Sequence, residues 1–371
     1  MTDSSISRTR HDKLLAEFDA GSPAALARAV SVVENHRPGF EEVLGRLHPR
    51  LGRARRVGLT GPPGAGKSTL GMQLARAWRA TGLTVGIVAV DPTSPFTGGA
   101  LLGDRIRMED IALDPGIFIR SMGTRGSLGG LAAATREVAD VLDAFGFDRV
   151  LIETVGVGQS ELDIARIADS TAVVLVPESG DAIQTMKAGL MEIADVFVVN
   201  KSDRPGAERL RHEIEITIGL RMGQTYRDVP GHHGVQHRVR ASGEARPIRN
   251  PAYAARNAAA AEDSDRWTPP VIATTADRGE GIEELVKAFD RHFDYLERSG
   301  TLRSRRRQRL RERVVEVVER RVRERLWRDQ ETNAWLDNAL PGLDEGSLTP
   351  FAAAETLLER SVELIARGRR S

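Results

Sequence analysis

The chain is predicted to fold as an α/β protein with a doubly wound, mostly parallel sheet. Two observations predict it. From Arg56 onward, short and nearly continuous apolar runs alternate with segments of helix length, the pattern of βαβ units whose strands are covered on both faces. The first of these runs, "RVGLT", leads directly into the glycine-rich "GPPGAGKST" and then a helical stretch, "STLGMQLARAWRA". A strand, a tight glycine turn and a helix in that order place function at the carboxyl ends of the strands.

Taken in order, residues 1–53 form an N-terminal helical extension, with two amphipathic helices expected between residues 11 and 50 around a turn at "DAGSP". In "PAALARAVSVVE" the apolar Leu26, Val30 and Val33 recur every three to four positions, and Ser22 followed by Pro23 reads as a capped start. Residues 54–298 form the sheet domain, with strands expected at "RVGLTG", "TVGIVAVD", "DRVLIETVG", "STAVVLVPE", "DVFVVNKSD" and "PPVIATTA". An insertion at about residues 222–262 is rich in Gly, Pro and Arg. Residues 299–371 form a C-terminal helical arm: Leu310, Val314, Val317, Val318, Val322 and Leu326 make one stripe, and a later helix opened by Thr349 and Pro350 carries Leu357, Leu358, Val362 and Ile365. Two such stripes beyond a complete α/β domain need a surface to cover them, by self-association or by packing within the chain.

Composition narrows the class. Of 371 residues, 40% are hydrophobic and 28% charged, and the formal net charge is +1, which gives no global drive toward nucleic acid or membrane. There are no cysteines, so disulfides and thiolate metal sites are excluded. No apolar run reaches the ~20 residues that cross a bilayer, and "MTDSSISRTR" lacks a signal-peptide apolar stretch, so the expected compartment is the cytoplasm. Of 53 basic residues five are lysines: Lys13, Lys67, Lys187, Lys201 and Lys287. Where arginine supplies nearly all positive charge, a lysine can mark a site that needs a compact ammonium.

Two motifs carry the chemistry. "GPPGAGKST" fits G-x-x-x-x-G-K-[ST] in full: Gly61, Pro62, Pro63, Gly64, Ala65, Gly66, Lys67, Ser68 and Thr69. Its glycines let backbone N–H groups close on phosphate, Lys67 reaches the β and γ oxygens, and the Ser68 hydroxyl ligates Mg2+. "NKSD" follows "DVFVV" at a strand end, and Asn200, Lys201 and Asp203 are expected to read guanine. A carboxylate at Asp203 accepts from the ring N1–H and the exocyclic amine of guanine, a pairing adenine lacks. Thr275 and Ala276, at the end of a further strand, are expected to touch the base. The nucleotide is therefore GTP or GDP.

Three acids follow the phosphate loop at strand ends or in loops: Asp91 in "AVDPTSP", Asp104 in "LLGDRIRM" and Glu153 in "LIETVGVGQSELD". With Ser68 they form the expected metal shell, since Mg2+ keeps several waters and takes carboxylates directly or through them. Asp104 also reads as a helix cap. In Ras-like G proteins the strand corresponding to "LIETVG" ends Asp-x-x-Gly and a glutamine follows to orient water. Here Glu153 is the acid, Gly156 offers an N–H toward the γ-phosphate, and Val157 replaces the glutamine. Lys67, Asp91, Asp104, Glu153 and Gly156 form the expected catalytic set, and an enzyme that hydrolyses GTP slowly by itself is expected.

The phosphate loop, "VDPTSPFTGGALLGDRIRM", "RSMGTRGSLGGLA", "ETVGVGQSE" and "NKSD", in this order, resemble the MeaB/ArgK-type G proteins that chaperone adenosylcobalamin-dependent acyl-CoA mutases, the group containing the human methylmalonic aciduria type A protein. The resemblance covers most of residues 15–371. It implies a GTPase of the class of the signal-recognition and metal-insertase GTPases, homodimeric through the C-terminal arm, that gates adenosylcobalamin transfer into a mutase and protects or rescues it. It further implies that Asp181, Gln184 and Lys187 in "PESGDAIQTMKAG" form an additional switch that responds to nucleotide and partner.

The chain departs from the resemblance between Arg204 and Arg266, where it is longer than the family pattern. His232, His233 and His237 lie there; a metal site, a partner-contacting insertion and a solvated loop are the three readings of that segment. A metal-insertase role expects a Cys- or His-rich metal motif near the phosphate loop or a terminus, and a P-loop small-molecule kinase has no use for a guanine reader.

Overall fold

The computed structural model describes residues 3–91, 109–123, 128–154, 163–178, 189–221 and 266–367. Its strands are β1 (Arg55–Thr60), β2 (Val85–Asp91), β3 (Ile117–Gly123), β4 (Arg149–Thr154), β5 (Ser170–Leu175), β6 (Val196–Asn200) and β7 (Val271–Thr274). They pair in parallel in the order β3-β2-β4-β1-β5-β6-β7. The chain leaves β1 toward β2 on one side and later reaches β5 on the other. The carboxyl end of β1 is thus a topological switch point, where an open α/β sheet forms its ligand crevice.

The helices are α1 (Asp3–Asp19), α2 (Pro23–Glu34), α3 (Phe40–Leu47), α4 (Lys67–Ala80), α5 (Glu109–Ala112), α6 (Leu128–Phe145), α7 (Met191–Ile193), α8 (Ala207–Arg221), α9 (Ile282–Arg298), α10 (Thr301–Arg328), α11 (Gln330–Asp344) and α12 (Pro350–Arg367). Alternate strand residues go to opposite faces. On one face Val57, Leu59, Ile87, Leu151, Val174 and Val198 meet Leu70, Leu74 and Trp78 of α4 and Leu285, Phe289 and Phe293 of α9. On the other, Val88, Val90, Val150 and Ile152 pack with α6 and the N-terminal helices, while Val173, Leu175, Phe197 and Val199 pack with Leu210, Ile214 and Ile218 of α8. Burying each such large side chain contributes roughly 1.5–3 kcal/mol, so the sheet is fixed from both sides.

The N-terminal segment folds as three helices where two were expected. Ser22 caps α2 as predicted, its Oγ accepting from the Ala25 N–H at 3.3 Å, with Pro23 in the first turn. The break after α2 comes from "HRPG": His36 at φ 45° and Gly39 at φ 83° both turn left-handed. Phe18 of α1 meets Phe145 of α6 edge-on at 5.0 Å between centroids, so this extension shares the core of the sheet domain.

Entry into β1 is fixed by a buried charge cluster. The Asp143 carboxylate accepts from the N–H groups of Gly52, Arg53 and Ala54 at 2.9–3.1 Å, and from Arg56 at 2.8 Å. Asp140 also pairs with Arg56 at 2.8 Å. Burial alone would lower the Arg56 pKa, but Asp140, Asp143 and Asp169 outweigh it and hold it above the ordinary arginine value.

One strand absent from the sequence reading is β3, at the edge of the sheet. Its "IFIRSMG" lacks a continuous apolar run because Arg120 turns out to pair with Glu34 of α2. Among the described residues no helix is long and apolar enough to cross a membrane.

The chain divides into two compact units, Met1–Leu302 and Arg303–Ser371. In the second, Asp329 caps α11, its Oδ2 accepting from the Thr332 N–H and hydroxyl at 2.7 Å each, and the Arg360 guanidinium lies 5.4 Å from the Trp335 ring centroid. The helix α11 was not anticipated from sequence. Leu326 is buried, whereas Leu310, Val314, Val318, Phe351 and Leu358 are exposed on the single chain.

Candidate nucleotide-binding site

The site begins where β1 ends. Gly61 takes φ 136°, and a Cβ there would lie 2.1 Å from the Val174 carbonyl oxygen, so only glycine lets the loop turn against β5. Gly66 takes φ 84° as the residue before α4, and its Cβ would lie 2.4 Å from Asn200 Nδ2. The first turn of α4 therefore opens at Lys67 with its backbone N–H groups and its positive end directed at the crevice. Pro63 and Gly64 are exposed at the tip, Ala65 is buried beneath them, and Pro62 and Thr69 are half-buried.

Lys67 is buried, and its Nζ donates to the carbonyls of Gly61 at 2.8 Å and Pro62 at 2.9 Å. An ammonium folded back on its own loop is solvated by carbonyl oxygens that phosphate oxygens can replace.

Glu153 reaches the loop through strand register. Leu151 and Glu153 share the face of β4 that packs on α4, so the carboxylate emerges beside the first turn of that helix. There Ser68 Oγ donates to Glu153 Oε1 at 2.6 Å. Both are hard oxygen ligands, and Glu153 is 3% exposed. Asp91 closes β2, in register with Gly123 of β3, while Ala89 of β2 pairs with Glu153. The Asp91 backbone thus ends at the same rim; its side chain lies outside the described set. Asp104, Gly156, Val157, Asp181, Gln184, Lys187 and the insertion with its histidines also lie outside the described residues. Among the described residues no cluster of three or more His, Asp or Glu side chains forms a metal cage.

The "NKSD" loop is tied to the phosphate loop. Asn200, 2% exposed, donates through Nδ2 to the Ala65 carbonyl at 2.8 Å. Its Oδ1 accepts from Thr274 Oγ1 and from the Ala276 N–H, both at 3.1 Å. One amide side chain thereby joins three loops. Lys201 adopts φ 56°, an uncommon conformation for a residue with a Cβ, and its Nζ donates to the Gly64 carbonyl at 2.9 Å. Ser202 N–H donates to the Thr274 carbonyl at 3.0 Å, and the Ser202 and Thr275 hydroxyls lie 3.1 Å apart. Asp203 projects beyond them, a third exposed, with Arg278 3.4 Å from its Oδ2. Ser202 and Arg278 were not singled out from the sequence, since neither residue type is distinctive until the loops are brought together.

Next to this loop Arg204 pairs with Glu178. The hydrogen bond from Arg204 holds the Glu178 carboxyl below the ordinary carboxylate range, and the same pairing raises Arg204.

The chain is similar to known proteins. A family model described as methylmalonyl-CoA mutase-associated GTPase MeaB matches residues 26–331. A Pyrococcus abyssi protein named as a GTPase is 40% identical over 351 residues, covering 95% of this chain and 97% of that protein. The GTPase ArgK of Escherichia coli is 32% identical over 347 residues, covering 91% of this chain and 93% of its own. The crystal structure of a LAO/AO transport system kinase superposes with a TM-score of 0.63 at 25% identity, covering 99% of each chain. With a family model spanning most of its length and relatives similar across nearly all of it, the chain belongs to the MeaB family of P-loop GTPases.

Proposed function

We propose that this protein is a GTP-hydrolysing chaperone that gates adenosylcobalamin delivery to a cobalamin-dependent acyl-CoA mutase, methylmalonyl-CoA mutase or a close relative, and protects or reactivates it. The observation that carries the reading is the Asn200 bridge: a phosphate loop and a guanine-reading loop share one buried side chain, in a chain whose family model is described as mutase-associated.

In this reading the N–H groups of the loop and of the first turn of α4 receive the phosphates, and Lys67 exchanges the Gly61 and Pro62 carbonyls for the β and γ oxygens. Asp203 accepts from guanine N1–H and the exocyclic amine. The chemistry of the Ser68 and Glu153 oxygens fits Mg2+, which they would hold together with Asp91 and Asp104, and which when bound neutralises charge on the phosphates. Gly156 would offer its N–H toward the γ-phosphate. Because Val157 carries no group to orient water, hydrolysis is slow until the mutase completes or reorders the site.

Asp181, Gln184 and Lys187 form the switch that senses nucleotide and partner. The functional division is an N-terminal extension (1–53), a GTPase domain (54–298) and an arm (299–371) through which two copies associate, in the cytoplasm. The test is transfer of adenosylcobalamin into the apo-mutase. Wild-type protein with GTP should support loading, and Lys67→Ala should not; equal loading by the variant would remove the gate.

A further inference from the structure

Arg278 stands on the tight turn that follows β7. Thr275 and Glu280 bridge in antiparallel fashion, with N–H to carbonyl distances of 3.1 and 3.3 Å, and the Arg278 N–H donates to the Thr275 carbonyl at 2.9 Å. Gly279 and Gly281 both take positive φ, at 73° and 76°, which lets the turn close; a Cβ on Gly281 would lie 2.2 Å from the Ala273 carbonyl oxygen. The base of the turn is in turn fastened to Asn200 by the Ala276 N–H. A rigid mount therefore carries the Arg278 guanidinium to 3.4 Å from Asp203 Oδ2.

The neighbouring cations are engaged elsewhere. Lys201 Nζ is spent on the Gly64 carbonyl, and the Arg204 guanidinium faces Glu178. Among the described residues, Arg278 is the cation in ion-pair contact with Asp203.

A carboxylate offers about four lone-pair positions on its two oxygens. Guanine takes two of them, through N1–H and the exocyclic amine, and needs the carboxylate plane aligned with the ring. A guanidinium on a remaining position of Oδ2 holds that plane before the base arrives. An isolated aspartate in a half-exposed loop rotates freely about its terminal torsion.

We propose that Arg278 is a specificity-determining positioning residue for guanine, which orients the Asp203 carboxylate for its two-point contact with the base. The inference rests on Asp203 being the guanine reader. An exposed ion pair contributes ~0.2–1 kcal/mol, a factor of roughly 1.4 to 5, which bounds the loss of GDP affinity expected on removing it. The effect should be selective. GDP uses two contacts to the carboxylate, inosine diphosphate lacks the exocyclic amine and uses one, and ADP uses neither.

The experiment measures dissociation constants of GDP, inosine diphosphate and ADP for the full chain, for Arg278→Ala and Arg278→Lys, and for Asp203→Asn as reference. Arg278→Ala should weaken GDP and lower the GDP-to-inosine preference, with ADP binding unmoved and the melting temperature lowered by no more than loss of one exposed pair allows. Arg278→Lys should restore part of the preference, because it returns the charge without the planar fork. Unchanged or tighter GDP binding by Arg278→Ala would overturn the inference. Asp203→Asn should lose GDP and gain xanthosine diphosphate. If it binds GDP as wild type does, the guanine-reading assignment itself fails, and that outcome is separate from any result at Arg278.

Discussion

Ser68 Oγ donates to Glu153 Oε1 at 2.6 Å, joining the first turn of α4 to the carboxyl end of β4. This contact places a hydroxyl and a carboxylate at the point where a magnesium-bound triphosphate would meet the sheet. Glu153→Gln keeps the shape and a hydrogen-bonding oxygen while removing the charge. It should lower GTP turnover by about 10²-fold or more, the scale of losing a preorganised electrostatic group, and weaken the dependence of nucleotide binding on Mg2+. Titrating Mg2+ against nucleotide binding for both proteins checks it; identical curves and turnover would remove Glu153 from the metal shell.

Gly66 links backbone conformation to both loops. Gly66→Ala places a Cβ at φ 84° and 2.4 Å from Asn200 Nδ2, so it should break the Asn200–Ala65 bond and reduce GDP affinity by more than tenfold. Gly82→Ala is the matched control: φ is 85°, with nothing within 4 Å of the added carbon. It carries the same left-handed strain, about 1–2 kcal/mol, and should lower stability while leaving GDP affinity unchanged. Calorimetric binding on both variants separates the two effects.

Much of this was legible in the sequence. The strands at β1, β2, β4, β5, β6 and β7 announced themselves because both of their faces are covered, which demands unbroken apolar runs. β3 did not, because most of its residues are only half-buried, which tolerates Arg120 and Ser121 in its run. The phosphate loop and "NKSD" were readable as local spacings. Their connection through Asn200 was not, since it depends on how the ends of β1 and β6 are placed across β5. Arg278 was invisible for the same reason: it is one of many arginines until the turn after β7 carries it to Asp203. The extra N-terminal break was spelled in "HRPG", where a proline and a left-handed glycine were available to end a helix.

Asp143 should be the most costly polar position in the fold. Its side chain is 0% exposed and serves three backbone N–H groups together with Arg56. Asp143→Ala leaves the buried Arg56 and those donors short of an acceptor, and should destabilise the protein by about 3–5 kcal/mol. Denaturant unfolding measures this. A loss below ~1 kcal/mol would show that Asp140 and water take over the cluster.

Val314 and Val318 of α10 are both more than half exposed on the single chain. If two copies associate through this stripe, Val314→Glu with Val318→Glu should convert dimer to monomer in light scattering without altering the helical signal in circular dichroism. A dimer that persists would move the interface off α10.

The proposed enzyme is guanine-specific and waits for its partner. The most direct measurement is steady-state phosphate release by the full chain from GTP and from ATP, with and without a purified cobalamin-dependent acyl-CoA mutase. Release should be slow from GTP alone, with no comparable release from ATP and a marked acceleration of the GTP reaction when the mutase is added. Equal turnover of ATP, or a GTP rate that no such mutase changes, would contradict this reading.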